Sequence, residues 1–356
     1  MNDNDFQFFK ELIEAPSPSG YEQPAQRVMR SHLEGVADEL RGDVMGNLIA
    51  RVASPQNDAP RVMLAGHCDE IGFMVRYIDE QGFIWFGAIG GVDPHLVPGQ
   101  RISIHTAAGV IPGVVGKKPI HLIDPKERET VIKLNSQFID IGCSSREEVE
   151  KLVAIGDPIT FAVGLERLQG DRVTSRAFDD KMGAFIVARV VQEVVRRGKP
   201  PVELFGVSTV QEEVGLRGGT TSAYGVNPDV GIAVEVGFAT DLPDVNMKEL
   251  GEVKVGGGPV ITRGANINPC LFDLLVETAR EESIPLQIIG NPRATGTDAN
   301  VMQLSRGGVA TGLVTIPLRY MHTPVETLAL GDIEHAIQLL TSLIFRIDKD
   351  TNFVPR

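Results

Sequence analysis

Residues 61–70 read Arg61-Val62-Met63-Leu64-Ala65-Gly66-His67-Cys68-Asp69-Glu70. An apolar run of strand length breaks at a glycine into a histidine and two acids. In an open α/β sheet, ligands bind outside the carboxyl ends of the strands, so polar residues that directly follow such a run are well placed for chemistry. The placement recurs along the chain. Leu204 to Val210 runs into Gln211-Glu212-Glu213, and Gly231 to Val234 runs into Glu235. Val309 to Ile316 leads through Pro317-Leu318-Arg319-Tyr320 to Met321-His322-Thr323. A further acidic element, Phe178-Asp179-Asp180-Lys181, stands just before a helical pattern, where the positive end of the helix dipole tolerates carboxylates.

Outward from these strand ends, helical spacing covers residues 5–13, 21–34, 181–197, 269–282 and 333–347. Strand patterns fall at 47–52, 61–65, 203–210, 231–236, 286–289 and 308–316. Strands alternating with helices imply an α/β fold with a doubly wound, mainly parallel sheet covered on both faces. Between Gly72 and about Thr160 the texture differs: FMVRYI, GFIWFGAIG, RISIHT, GVIPGVVG and FIDIG alternate with Gly and Pro turns. That stretch reads as a small β-rich domain inserted into the larger one. The expected division is therefore 1–70 with 165–356 as a discontinuous catalytic domain and 71–164 as the insertion, in keeping with a chain of 356 residues.

A net charge of −13, with no Lys/Arg run longer than two, argues against nucleic acid as a partner. Three widely separated cysteines, Cys68, Cys143 and Cys270, suit a reducing compartment better than a disulfide framework. The opening MNDNDFQFFKELIEAPSP has acids where a signal peptide needs bases, and no stretch approaches the roughly 20 apolar residues of a membrane span. A cytoplasmic location away from membranes is the expectation.

Taken singly, each polar strand end has an ordinary explanation: a histidine after a strand as a hydrogen-bonding cap, Asp179-Asp180 as a helix cap, a Glu pair as a solvated loop. Jointly, two histidines and several carboxylates at one sheet edge form an N/O donor set suited to Zn²⁺, Co²⁺ or Mn²⁺. If His67, Asp179, Glu213, Glu235 and His322 hold two divalent ions, three carboxylates and a hydroxide balance their charge. Asp69, two residues after His67, reads as the carboxylate that fixes the His67 tautomer. Cys68 reads as a small core residue facing away from the site.

The blocks GHCDEIGFMV, FDDKMG, TVQEEVGLRGG, GTDAN and RYMHTP, with APSPSGYE and GGVDP, resemble the signature segments of the M42 glutamyl aminopeptidases, the group that includes the tetrahedral TET particles. They occur in family order across nearly the whole chain. The resemblance implies that His67 and His322 each bind one metal, that Asp179 bridges both, and that Glu213 and Glu235 complete the coordination. It makes Glu212 the general base and the Asp179–Asp180 bond cis. It also implies an inserted β-barrel or PDZ-like domain for dimerisation and a homo-oligomer, dimer-based and up to a dodecamer. One departure is Glu235, where the family usually has Asp.

The function that follows is a two-metal aminopeptidase, with Zn or Co as the leading metals and Mn the third, acting on short peptides. The rival readings are a carboxypeptidase or aminoacylase, which Glu235 keeps open, and a scaffold without activity. Gly296-Thr297-Asp298 reads as part of the substrate wall. Arg293 and Arg319 read as structural ion-pair partners more than as contacts for a substrate carboxylate.

Overall fold

The computed structural model of the chain describes residues 1–355. Helix α1 (Asp3–Glu14) begins at Asn2, whose side chain accepts the Asp5 N–H, and buries Phe8, Phe9, Leu12 and Ile13 on one face. Helix α2 (Gln23–Leu33) follows, then strands β1 (Glu39–Gly42), β2 (Leu48–Val52) and β3 (Arg61–His67). Next come β4 (Gly72–Ile78), β5 (Ile84–Ile89), β6 (Arg101–Thr106), β7 (Gly109–Val115), β8 (Phe138–Asp140), the short α3 (Arg146–Glu150) and β9 (Pro158–Phe161). After β10 (Glu166–Arg167) and β11 (Arg172–Ser175), longer units resume with α4 (Phe178–Arg197), β12 (Glu203–Thr209), α5 (Arg217–Val226) and β13 (Val230–Phe238). The chain closes with α6 (Met247–Leu250), β14 (Val260–Gly264), α7 (Pro269–Glu281), β15 (Gln287–Asn291), α8 (Asp298–Met302), β16 (Ala310–Leu318), β17 (Glu326–Ala329) and α9 (Leu330–Ile344).

Eight strands form the main sheet in the order β1-β2-β12-β3-β13-β16-β14-β15. Its centre is parallel: β12 with β3, β3 with β13 and β13 with β16, so their carboxyl ends converge on one edge. The β1–β2, β2–β12 and β14–β16 pairs are antiparallel. The sheet is thus mixed around a parallel core, and β12 enters between β2 and β3, which are neighbours in sequence only. Helices α4, α7 and α9 pack together on one face, and α5 and α8 cover the other.

Residues 72–161 supply a closed barrel in the order β4-β5-β8-β7-β6-β9. Closure removes the free strand edges that a small sheet would expose. The barrel has its own core, built around Phe73, Val75, Ile102, Ile104, Ile139 and Ile159, separate from the core of the main sheet. A third, three-stranded sheet, β10-β11-β17, lies beside the main sheet.

Two glycines explain how α4 reaches the edge of the sheet. A Cβ on Gly66 would stand 2.3 Å from the Gly183 carbonyl carbon, and one on Gly183 would stand 2.3 Å from both the Val234 carbonyl oxygen and Asp180 Oδ2. Strand β3 and the first turn of α4 therefore touch backbone to backbone, which brings Asp179 against the end of β3. The regular helix begins at Lys181: Asp179 (φ −76°, ψ 106°) and Asp180 (φ −122°, ψ 34°) are not helical, and the bond between them is cis, as the resemblance implied. No helix among the described residues is long and apolar enough to cross a membrane.

Candidate metal centre

The polar strand ends meet. His67 terminates β3, Glu212 and Glu213 follow β12, Glu235 lies on β13, His322 follows β16, and Asp179 precedes α4; all six line one cleft of about 580 Å³. Asp179 is at its centre. Its Oδ1 stands 3.2 Å from His67 Nε2 and its Oδ2 stands 3.2 Å from His322 Nε2. Glu235 Oε2 and Glu212 Oε2 lie 3.7 and 3.8 Å from His67 Nε2, while Glu213 Oε1 lies 3.5 Å from His322 Nε2. The two adjacent glutamates after β12 therefore attend different histidines.

Each imidazole is oriented through its other nitrogen. His67 Nδ1 donates to the Asp69 backbone carbonyl at 3.0 Å, with Asp69 Oδ1 at 3.4 Å. The tautomer-fixing contact assigned to the Asp69 carboxylate is thus taken mainly by its carbonyl. The carboxylate itself accepts the Ser19 hydroxyl at 2.7 Å and the backbone N–H groups of Glu212 and Glu213 at 3.0 and 3.1 Å. Its larger effect is to fix the turn that presents both glutamates. His322 Nδ1 donates to the Gly91 carbonyl at 3.0 Å, from the connection that follows β5.

Two buried carboxylates brace the centre from behind, and the sequence reading missed both roles. Asp180 accepts the His67 N–H at 3.1 Å and the Gly183 N–H at 3.0 Å. Glu326, at the start of β17, accepts the His322 N–H at 2.9 Å through one oxygen and the Asp179 N–H at 3.2 Å through the other. Asp180 was visible as half of an acidic pair. Glu326 carried only its position four residues after His322.

The remaining expectations divide. Gly296 and Thr297 line the cleft beside Leu216, Val236, Phe238 and Met321. Asp298 does not: it is buried behind the wall, where its Oδ2 accepts the Thr209 hydroxyl at 2.6 Å and its side chain fills the space that a Cβ on Gly219 would take. The first turn of α8 points this carboxyl inward, which corrects its reading as a substrate contact. Arg319 makes a two-pronged ion pair with Asp241 at 2.7 and 3.0 Å, a structural role. Cys68 is fully buried in the main core.

The electrostatics call for cations. Burial pushes Glu212 up to about 7 and, with the Asp179 charge added, Glu213 up to about 8. Burial and the Asp180 carboxyl hold Glu235 well above the usual carboxylate range. The hydrogen bond to Asp179 raises His322 to about 9. For His67, burial opposes the imidazolium but Glu235 and Glu212 outweigh it, and its value ends well above 6.5. Such a concentration of shifted groups in a cleft marks a functional site, and a bound cation would reverse the shifts.

The donors fit divalent metal. Ligand atoms of Asp179, Glu213 and His322 lie within 4.8 Å of one another, as do those of His67, Asp180 and Glu235 and those of His67, Glu212 and Glu213. Glu235 Oε1 is buried with no hydrogen-bond partner, as expected of an oxygen reserved for a metal. Asp180 fits less well as a ligand, since each of its oxygens already accepts a backbone N–H.

Comparison with known proteins agrees with this chemistry. The sequence profile of the M42 glutamyl aminopeptidases matches residues 46–339. The lysyl aminopeptidase of Pyrococcus furiosus is 39% identical over 354 residues, covering 99% of this chain and 99% of that relative. The solved TET aminopeptidase of a marine sediment Thaumarchaeota archaeon superposes with a TM-score of 0.92 at 34% identity, covering 98% of each chain. The TET1 peptidase of Pyrococcus horikoshii, described as assembling into a tetrahedron or a large octahedral shell, superposes with a TM-score of 0.86 at 29% identity, covering 96% of this chain and 100% of that one. This chain therefore belongs to the M42 glutamyl aminopeptidase family and is an aminopeptidase, a hydrolase of peptides.

Proposed function

We propose that the protein removes N-terminal residues from short peptides using two divalent ions. Asp179, His67 and Glu235 would hold one ion, and Asp179, His322 and Glu213 would hold the other. The observation that carries this reading is the placement of the Asp179 oxygens, each 3.2 Å from the Nε2 of a different histidine. Bound ions at such a site supply Lewis acidity toward the scissile carbonyl and lower the pKa of the attacking water.

The chain's own groups do the rest. Glu212 lies on the cleft side of His67, is not needed in either half-site, and takes the proton from the attacking water before returning it to the leaving amine. Asp69 keeps Glu212 and Glu213 in register through their backbone N–H groups. Carboxylates at the base of the cleft hold the substrate's ammonium, which restricts cleavage to the first bond. Gly296 and Thr297 form part of the wall.

Zn²⁺ and Co²⁺ suit the N/O donors best, with Mn²⁺ behind them. We read 1–70 with 165–356 as the catalytic domain and 71–164 as a dimerisation domain. The assembly is read as a homo-oligomer built from dimers, up to a dodecamer, in line with the shells described for the Pyrococcus horikoshii relative. Free thiols at Cys68, Cys143 and Cys270 suit the cytoplasm.

The test is to strip the protein of metal, reconstitute it separately with Zn²⁺, Co²⁺ and Mn²⁺, and offer free and N-acetylated short peptides. Metal-dependent release of the first residue from the free peptides alone is expected. Cleavage of the acetylated set would assign the centre to an aminoacylase or carboxypeptidase, and cleavage of neither would refute the peptide reading.

A further inference from the structure

The two half-sites are held by different parts of the chain. The Nδ1 of His67 donates to a carbonyl only two residues away, on the same strand end. The Nδ1 of His322 donates across 231 positions of sequence to Gly91, in the β5–β6 connection of the barrel. The same connection presses on both other-side donors: a Cβ on Gly91 would stand 3.1 Å from His322 Nδ1, and one on Gly90 would stand 3.3 Å from Glu213 Oε2.

His322 has little of its own to fix it. Its backbone is in the left-handed region at φ 61°, like that of Tyr320 at 62°, a conformation that surrounding contacts must impose on a residue with a Cβ. Its side chain is 35% exposed, against 1% for His67. Glu326 holds its N–H, and the Gly91 carbonyl receives the ring Nδ1. That carbonyl is anchored within the barrel. Val97 is buried in the barrel core, and Gln137, itself 2% exposed, donates its amide to the carbonyls of Pro94 at 3.2 Å and Ile132 at 3.1 Å.

We propose that the inserted barrel is a working part of the metal centre: through the Gly91 carbonyl it sets the tautomer and orientation of His322, so the Asp179/Glu213/His322 half-site depends on the barrel and the His67/Glu235 half-site does not. Gly91 is here a positioning residue. A displacement of the barrel, whether by mutation or by a change in assembly, then costs the protein one ion of two. The inference rests on the two-ion reading above.

The experiment is a Co²⁺ titration of metal-stripped wild type and Gly91→Ala, following visible absorption and ion content by equilibrium dialysis. Gly91 is not in the left-handed region, so alanine is compatible with its backbone while its methyl displaces the His322 ring. The expected result is an unchanged first equivalent and a second equivalent bound about 10- to 100-fold more weakly with an altered spectrum, the range for losing the outer partner of a metal-binding histidine. Equal affinity for the second ion in both proteins, or equal weakening of both ions, would overturn the inference. If Gly91→Ala loses its fold, Gln137→Ala decides by the same criteria, since it frees the connection from inside the barrel without touching the cleft. A wild type that takes up fewer than two ions would sink the two-ion reading itself, a result distinct from an unchanged second ion in the variant.

Discussion

The two ends of the candidate metal centre share a plan and differ in support. Around His67 the ring is buried and the support comes from the main sheet and the start of α4: the ring is fixed by its own strand end, its N–H by Asp180 and its neighbours by adjoining parallel strands. Around His322 the side chain is one-third exposed, the backbone is left-handed, and the fixing groups come from the barrel and from β17. Parallel strands align their ends through their own hydrogen bonds, so a side chain at the end of β3 is placed by the sheet. A side chain in the loop after β16 must be placed by whatever packs against that loop. The first end is thus placed by the sheet, and the second by the barrel and β17.

Removal of the shared group erases the difference. Asp179→Ala takes away the carboxylate that stands 3.2 Å from both histidines, so ion content should fall at both ends and peptide hydrolysis should drop to background, as read by metal analysis and assay together. Glu212→Gln is expected to act next most strongly. It should lower kcat by about 10²- to 10⁴-fold, the usual worth of a general base, while both ions remain bound. Loss of ions in that variant would show that Glu212 is a ligand and not the proton carrier.

Glu326→Gln sharpens the contrast. One carboxylate serves two backbone donors, and an amide would turn its own N–H toward one of them. Ion affinity at the His322 end is expected to fall by about 10- to 100-fold, with a smaller change at the His67 end; a uniform change would remove the distinction between them.

The effect of pH is gentler. In metal-free protein the folded-state values of Glu212 and Glu213, about 7 and about 8, exceed 4.5, and that of His322, about 9, exceeds 6.5. Each group then favours the folded state while protonated: its contribution is complete below the ordinary value and is lost as pH rises through the folded one. Metal binding needs the deprotonated forms. The rise in melting temperature on adding Zn²⁺ should therefore grow from about pH 5 to about pH 9, and a rise that shrinks over this range would contradict the assignment of these groups to the centre. Smallest of all, Arg319→Ala should cost about 1 kcal/mol of stability by exposing Asp241, with KM for peptides unchanged.

Much of this is legible in the sequence, and the reason is physical. An apolar run that ends in His67, in Glu212-Glu213 or in Glu235 declares both a buried strand and the edge where its polar residues emerge. Parallel pairing then brings those edges together without further information. The β-rich insertion was legible too, from short apolar runs between Gly and Pro turns, and its closure into a barrel from the family resemblance, although the insertion of β12 between β2 and β3 was not, since nothing in a strand names its neighbour. Gly91 acts through a backbone carbonyl, which every residue carries, so no side chain marks it. Glu326 reads as an ordinary acid at the start of a strand until the fold sets it behind Asp179 and His322. Asp298 went the other way: the turn Gly296-Thr297-Asp298 read as cleft wall, and the first turn of α8 directs the Asp298 carboxyl inward to Thr209.

The central claim is that Asp179 sits between two ions. Crystals of the metal-loaded enzyme, measured on both sides of the zinc absorption edge, test it most directly. Two anomalous peaks about 3.5 to 4 Å apart are expected, one against His67 and Glu235 and the other against His322 and Glu213. A single peak, or two peaks that leave Asp179 outside both coordination spheres, would contradict it.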